Sequence, residues 1–215
     1  MSPSGLAFEL LALADAEAVS LGDRGPGWVP LRRRLGIGAF GVNAFRAACS
    51  GDDVIEDHVE SPGQEELYVV IRGKVRMSVG EEEVDLDAGT AIFLADPQLR
   101  RSATAREDDT IVLAVGGWVG RAYHPLPWEP IYLARPAMQS GDWQQAAEVL
   151  LREGGEQLER PILQYRLACC HARLGEHALA IAELERAITA DRSYRERAAT
   201  EEAFASLRVR ADWPG

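Results

Sequence analysis

The stretch from His58 to Gly73, which reads HVESPGQEELYVVIRG, constrains the fold of this chain more than any other. Side chains in a β-strand alternate with a period of two, so His58 and Glu60 point to the same face. Residues 61–64 are turn formers, so the chain should reverse there. On the returning strand Glu66 shares a face with the residues two and four positions later. The pattern therefore predicts a β structure in which an imidazole and two carboxylates converge.

These residues resemble the first motif of the cupin superfamily. That motif is a glycine, five residues, His-x-His, three or four residues, a glutamate, six residues and a glycine. Six residues separate Glu66 from Gly73, and Gly51 stands near the expected upstream position. His58 matches the first histidine of the pair, and Glu60 occupies the second histidine position. The resemblance implies a cupin barrel with an altered ligand set.

A second cupin motif, a glycine followed about ten residues later by a histidine, is visible in LDAGTAIFLADPQLRR. Gly89 matches its glycine, and the histidine position falls on Arg100. The two motifs together extend the resemblance over residues 28–118. Two of the four usual metal-ligand positions are thus occupied by other residue types.

The resemblance implies a divalent metal site formed by His58, Glu60 and Glu66. One imidazole and two carboxylates suit Fe(II), Mn(II), Ni(II) or Zn(II) and leave coordination positions open for water or substrate. Such a site would allow dioxygenase or isomerase chemistry, as in metal-bearing cupins. Whether this chain is an enzyme stays open at the level of sequence.

The alternative is a barrel without metal, in which the guanidinium of Arg100 replaces the cation and pairs with Glu60 or Glu66. A buried carboxylate needs a partner, and arginine supplies a bidentate one. A third hypothesis is a binding pocket without turnover. There, Arg100, Tyr68 and His58 would hold a small polar ligand, with arginine gripping its carboxylate.

The fold class predicted for the whole chain is mainly β plus α: a cupin (jelly-roll) β-barrel in residues 1–120, followed by a small all-α region in residues 127–215. Many short strands separated by turn signals indicate a sandwich or barrel. The apolar run from Leu67 to Ile71 is typical of an interior strand. The predicted strands are 29–34, 40–48, 53–60, 65–72, 74–79, 90–94, 98–104 and 109–115.

The second half contains a repeat of 34 residues. Its equivalent pairs are Pro127 and Pro161, Leu133 and Leu167, Ala134 and Ala168, Gly141 and Gly175, Ala146 and Ala180, and Leu150 and Leu184. The glycines stand where a turn joins two helices, and the alanines allow close packing. The spacing resembles that of tetratricopeptide helical hairpins. Because two repeats rarely stand alone, we expect these helices to pack on the barrel or across a dimer.

Three local signals refine the helical half. Pro136 should kink or shorten the first helix. Asp142 and Ser193, each followed three residues later by Gln or Glu, are typical of capping boxes. Residues 193–207 are predicted to form a capping helix with Phe204 and Leu207 facing inward.

Charge and composition exclude several classes of function. The net charge of −11 disfavours nucleic acid as a partner, because phosphate binding needs a basic surface. No apolar run reaches the ~20 residues that span a bilayer, and the N-terminal apolar stretch lacks the basic start of a signal peptide. Cys49, Cys169 and Cys170 lack disulfide or C-x-x-C spacing. We therefore expect reduced thiols in a cytoplasmic protein.

Taken together, the sequence predicts a cupin-fold protein that binds a small ligand or a metal, with helices for oligomerisation or contact with a protein partner. A metal-dependent cupin enzyme and a non-catalytic interaction scaffold are the alternatives. Residues 6–20 are apolar enough to cover an interface, and we expect a homodimer.

Overall fold

The computed structural model describes residues 9–214, which divide into two compact units, one ending at His124 and the other beginning at Pro125. The strands of the described chain are β1 (Val19–Ser20), β2 (Gly27–Val29), β3 (Gly41–Ala47), β4 (Asp53–His58), β5 (Gln64–Arg72), β6 (Lys74–Val79), β7 (Glu82–Asp87), β8 (Ala91–Leu94), β9 (Arg101–Ala105) and β10 (Thr110–Trp118). Its helices are α1 (Leu31–Arg34), α2 (Trp128–Ser140), α3 (Trp143–Gly154), α4 (Pro161–Arg173), α5 (His177–Ala190) and α6 (Ser193–Thr200).

The chain is therefore a mixed β and α protein, with antiparallel sheets in the first unit and helices in the second. The predicted domains, 1–120 and 127–215, stay predictions, because compactness alone does not show that either unit folds by itself.

The first unit consists of two antiparallel sheets. One has the strand order β1-β2-β3-β10-β5-β8 and the other β4-β9-β6-β7. Strand β5 lies between β10 and β8, which confirms the prediction of an interior strand. The core between the sheets takes side chains from both, among them Tyr68 and Val70 on β5 and Val75 and Met77 on β6. This interior is where inward-pointing polar residues must find partners.

The alternation of β5 decides which of its residues enter that interior. Gln64, Glu66, Tyr68 and Val70 are all buried. The intervening residues face the other side of the sheet. On that side, a second apolar cluster packs residues between positions 11 and 37 against β3 and β10.

Gly73 closes the apolar run of β5 and turns the chain into β6. Its backbone φ is 78°, in the left-handed region that favours glycine. A Cβ at this position would also collide with Thr110. Both the conformation and the space therefore require glycine here.

Three details differ from the sequence-based expectations. The predicted strand 29–34 is wrong beyond Val29: after Pro30, Leu31–Arg34 form one turn of α-helix, because proline fixes φ near the helical value and leucine and arginine are good helix formers. Strand β7 was not predicted, since its acidic residues conceal the alternation that buries Leu86. Of residues 6–20, the first three lie outside the described residues, and the rest form turns and the short strand β1.

The second unit contains two helical hairpins, α2 with α3 and α4 with α5. Their turns contain Gly141 with φ 77° and Gly175 with φ 76°, which stand 34 residues apart. Leu150, Leu167 and Leu184 are buried. They belong to two apolar clusters whose members, among the described residues, all lie in this unit. Within this unit the two clusters thus bury these leucines, and the packing on the barrel or across a dimer stays a prediction.

The helix signals are confirmed in part. Asp142 caps α3 by accepting a hydrogen bond from the Gln145 backbone N–H at 3.0 Å. The N–H of Ser193 instead donates to Asp191, so Ser193 does not cap α6. Helix α6 ends at Thr200, earlier than predicted, although Phe204 and Leu207 are buried as expected. Pro136 does not shorten α2, which has 13 residues like α4.

Cys169 and Cys170 lie buried in α4, Cys49 is exposed, and none of the three is bridged. Burial raises the pKa of the Cys170 thiol to about 11, so it stays protonated at neutral pH. None of the helices in the described chain has both the length and the apolar character needed to cross a membrane.

Candidate metal centre

The candidate centre forms where β4 ends and β5 begins. His58 is the last residue of β4, and Glu66 and Tyr68 point inward from β5. Glu60 lies in the connection, where its backbone N–H donates to the Pro97 carbonyl at 2.9 Å. The turn that the sequence predicts at 61–64 closes with a hydrogen bond from the Gln64 N–H to the Ser61 carbonyl. The reversal brings both glutamates close to one imidazole.

The structure brings His58, Glu60 and Glu66 together, as their spacing predicted. One ligand atom from each of the three lies within 4.8 Å of the other two. His58 Nε2 is 3.5 Å from Glu60 Oε1 and 3.9 Å from Glu66 Oε2. These separations leave room for an ion between the three atoms, because metal bonds to such ligands are about 2.0–2.2 Å long.

The imidazole is held in the orientation that a metal ligand needs. His58 Nδ1 donates to the backbone carbonyl of Glu56 at 2.7 Å. This bond fixes the hydrogen on Nδ1 and turns Nε2 toward the two carboxylates. Support of this kind from a backbone carbonyl is usual for metal-binding histidines.

Tyr68 completes the polar group. Its hydroxyl donates to Glu66 Oε2 at 2.5 Å and lies 3.4 Å from His58 Nε2. Burial and the negative charge of Glu66 raise the pKa of Tyr68 well above its usual value, so the hydroxyl stays protonated. Tyr68 therefore holds one glutamate oxygen in place by a hydrogen bond.

Electrostatics give this group an affinity for positive charge. Burial alone would lower the pKa of His58, but hydrogen bonds with Glu60 and Glu66 outweigh it and raise that pKa to about 10. Without a metal, the imidazole is thus protonated at neutral pH and forms ion pairs with both carboxylates. A proton and a metal ion compete for the same nitrogen.

The side chain of Arg100 does not enter this group, so the prediction that it does is wrong. Arg100 is exposed and forms an ion pair with Asp57, in which two of its nitrogens donate to the same carboxylate oxygen. Strand β9 begins one residue later, and its buried positions are Arg101, Ala103 and Ala105. The second cupin motif places its histidine position at residue 100, whereas the inward-pointing residue at the start of β9 is residue 101. Arg101 therefore points inward instead of Arg100.

Sequence reasoning missed Arg101, although a signal was present. In RRSATA the small residues at 103 and 105 are the natural inward positions, and period-two alternation places Arg101 on their face.

The metal-free network, in which a guanidinium stands between the glutamates, is not formed by either arginine. His171 and His177 lie on α4 and α5, and His171 pairs with Glu176 at 2.6 Å.

No family model and no curated protein matches this sequence. Similar solved structures include a cupin protein from Bacteroides fragilis, 19% identical over 52% of this chain and 92% of that chain, with a TM-score of 0.38. An RmlC-like cupin from Shewanella frigidimarina is 12% identical over 53% of this chain and 95% of that chain, with a TM-score of 0.39. A predicted oxalate decarboxylase from Thermotoga maritima is 18% identical over 44% of this chain and 81% of that chain, with a TM-score of 0.37. Cupin proteins are thus among the structures similar to this chain, and likeness at this level carries no argument about activity.

Proposed function

We propose that the first unit is a cupin jelly-roll barrel that binds one divalent metal ion through His58, Glu60 and Glu66. The observation that carries the proposal is the convergence of their three ligand atoms around His58 Nε2, which the Glu56 carbonyl orients from behind. Burial supports it as well, because the Glu60 and Glu66 side chains are only 13% and 11% exposed. Carboxylates so far from water need a positively charged or hydrogen-bonding partner, and a metal ion would serve as one.

The donor set narrows the choice of metal. Two carboxylate oxygens and one imidazole nitrogen suit Mn(II), Fe(II), Ni(II) or Zn(II), and the absence of thiolate disfavours softer ions. A metal bound here would act as a Lewis acid toward a ligand in its open coordination positions. His58 and the two glutamates would hold the ion, and Tyr68 would keep Glu66 in its binding orientation.

Two alternatives share these residues. A metal-free protein would keep the protonated His58 in ion pairs with both glutamates, which the raised pKa of His58 favours. A metal-dependent enzyme of the dioxygenase or isomerase type would use the same metal and add turnover. Its mark would be product formation by metal-loaded protein that disappears on chelation.

Metal content tests the proposal. We expect protein purified without chelator from medium containing all four metals to retain close to one equivalent of metal, measured by plasma mass spectrometry. His58→Ala and Glu66→Gln should lose it, because each removes one of three ligands. His171→Ala, which changes an imidazole outside the site, is the matched control. If the wild-type protein carries no more metal than His58→Ala, even after incubation with each ion, the proposal is wrong.

For the second unit we propose tetratricopeptide-like hairpins that contact a protein partner or a second copy of the chain. The 34-residue spacing and the equivalent left-handed glycines, Gly141 and Gly175, support this assignment.

We further propose a cytoplasmic homodimer. Strand β8 pairs only with β5 among the described strands, and its Phe93 is 56% exposed, so an apolar sheet edge is left open.

A further inference from the structure

Arg101 is a buried cation whose hydrogen bonds are incomplete. The residue is only 1% exposed. A guanidinium carries five N–H donors, and here one terminal nitrogen donates to the Pro97 carbonyl and the other to the Asp96 carbonyl, both at 3.3 Å. The buried Nε has no hydrogen-bond partner. Most of the donor capacity of this side chain is therefore unused.

Arg101 also forms no ion pair in the described part of the chain. Among the described residues, no carboxylate oxygen lies within 4.0 Å of its nitrogens. By contrast, the exposed Arg76 makes two hydrogen bonds of 2.9 Å to Asp85. A buried charge without a paired counter-ion is costly, and a ligand of opposite charge would lower that cost.

The location of Arg101 connects it to the candidate metal centre. On β9 it pairs directly with His58 of β4, and side chains paired in this way lie on the same face of a sheet. Its positive charge also acts on Tyr68, where it opposes the effect of burial on the pKa of the hydroxyl. Arg101 is therefore part of the wall around the site that His58 and Tyr68 share.

The net charge of the metal-loaded pocket indicates which kind of ligand it would bind. In a metal-loaded site the two positive charges of the ion are balanced by Glu60 and Glu66, and a metal-bound His58 is neutral. The positive charge of Arg101 then remains. One negative charge on a ligand neutralises the pocket, which fits a single carboxylate better than a phosphate carrying between one and two charges.

A second buried polar atom lies on the opposite sheet. Gln64 is 4% exposed and shares the inward face of β5 with Glu66 and Tyr68. Its amide oxygen is buried and accepts no hydrogen bond. A ligand hydroxyl would satisfy this acceptor.

We propose that Arg101 forms the carboxylate-binding part of the barrel site, and that the ligand is a small organic acid with one carboxylate and a hydroxyl group. This inference rests on the proposed metal function, because the ion makes the pocket positive. The guanidinium binds the carboxylate in the bidentate way that arginine favours. The role predicted for Arg100 thus belongs to its neighbour.

Glycolate serves as the probe, since it is the smallest acid with both groups, and glycolamide is its uncharged counterpart. Calorimetric titration of Mn(II)-loaded protein should show binding of glycolate and much weaker binding of glycolamide. Arg101→Met should weaken glycolate binding by about tenfold or more, as expected for loss of charged hydrogen bonds. Arg100→Met is the matched control, because it removes the same group one residue away on the exposed side, and its glycolate affinity should equal that of wild type.

The outcomes separate this inference from the metal proposal. If Arg101→Met binds Mn(II) and glycolate as tightly as wild type, the carboxylate site is wrong and the metal site stands. Tighter binding of inorganic phosphate than of glycolate would overturn the choice of a carboxylate. If wild type binds no metal, the proposed function fails, and only Arg101-dependent glycolate binding by metal-free protein would keep the inference. Should Arg101→Met not fold, Arg101→Lys replaces it: weaker glycolate binding supports the bidentate contact, and unchanged binding refutes it.

Discussion

At the scale of single residues, the two ring nitrogens of His58 have different tasks. Nδ1 is occupied by the Glu56 carbonyl, whereas Nε2 faces Glu60 and Glu66. Because the supporting group is a backbone carbonyl, the orientation of the ring does not depend on the side chain of residue 56. The same nitrogen that would bind a metal carries a proton in its absence.

This proton makes the stability of the metal-free protein depend on pH. The pKa of His58 rises from 6.5 in the unfolded chain to about 10 in the folded one. The resulting stabilisation is fully present below pH 6.5 and is lost as the pH rises through about 10. We expect the free energy of unfolding in chelator to fall by about 1–2 kcal/mol over this range, less than the full pKa shift implies, because the side chain is partly exposed to solvent.

Urea unfolding at pH 6 and pH 10 checks this expectation. The comparison needs His58→Gln, because Cys170 also titrates in alkali and contributes a pH dependence of its own. The difference between wild type and His58→Gln should shrink as the pH rises. A difference that stays constant across the range would show that folding does not raise the pKa of His58.

At the scale of elements, β5 and the turn that follows it position the site. Strand β5 contributes Glu66 and Tyr68, and Gly73 sets the point at which β6 begins. We expect Gly73→Ala to destabilise the protein by about 2–4 kcal/mol, from backbone strain at positive φ and from the collision with Thr110.

The Gly120→Ala variant separates the effect of backbone strain from the effect of the collision with Thr110. Gly120 has φ 68°, but a Cβ there would have no heavy atom within 4 Å. Its substitution should therefore cost only the conformational part, about 1 kcal/mol. Thermal unfolding of both variants measures the difference, and equal losses would mean that the contact with Thr110 adds nothing.

Element by element, alternation and turn residues were enough to predict most strands and the meeting of His58, Glu60 and Glu66. These signals failed where something other than the alternation of side chains determined the structure. The strand predicted at 29–34 gave way to α1 because Pro30 starts a helical turn, and the acidic composition of β7 hid its pattern. Arg100 and Arg101 are of the same type, so the spacing of the motif could not distinguish them, and only the alternation with Ala103 and Ala105 indicated that Arg101 points inward.

At the scale of the whole molecule, the open edge at β8 is the feature that bears on assembly. Phe93 on β8 and Ile71 on the neighbouring β5 are 56% and 43% exposed. Strand edges with exposed apolar side chains tend to pair with another chain. The helical unit, by comparison, buries Leu150 and Leu184 among its own residues.

We expect light scattering at tens of micromolar to give the mass of a homodimer, and Phe93→Glu to shift it toward that of a monomer. Phe40→Glu is the control, because Phe40 is 45% exposed just before β3, away from the β8 edge. A wild-type monomer, or a Phe93→Glu variant that remains dimeric, would contradict assembly through this edge.

The unequal exposure of the three proposed metal ligands has a kinetic consequence. His58 is 32% exposed, whereas Glu60 and Glu66 are 13% and 11% exposed. Of the three, the imidazole is thus the side chain that solvent reaches most readily. The rate of exchange would therefore follow how often the His58 ring swings aside, while the two buried carboxylates set how long the ion stays.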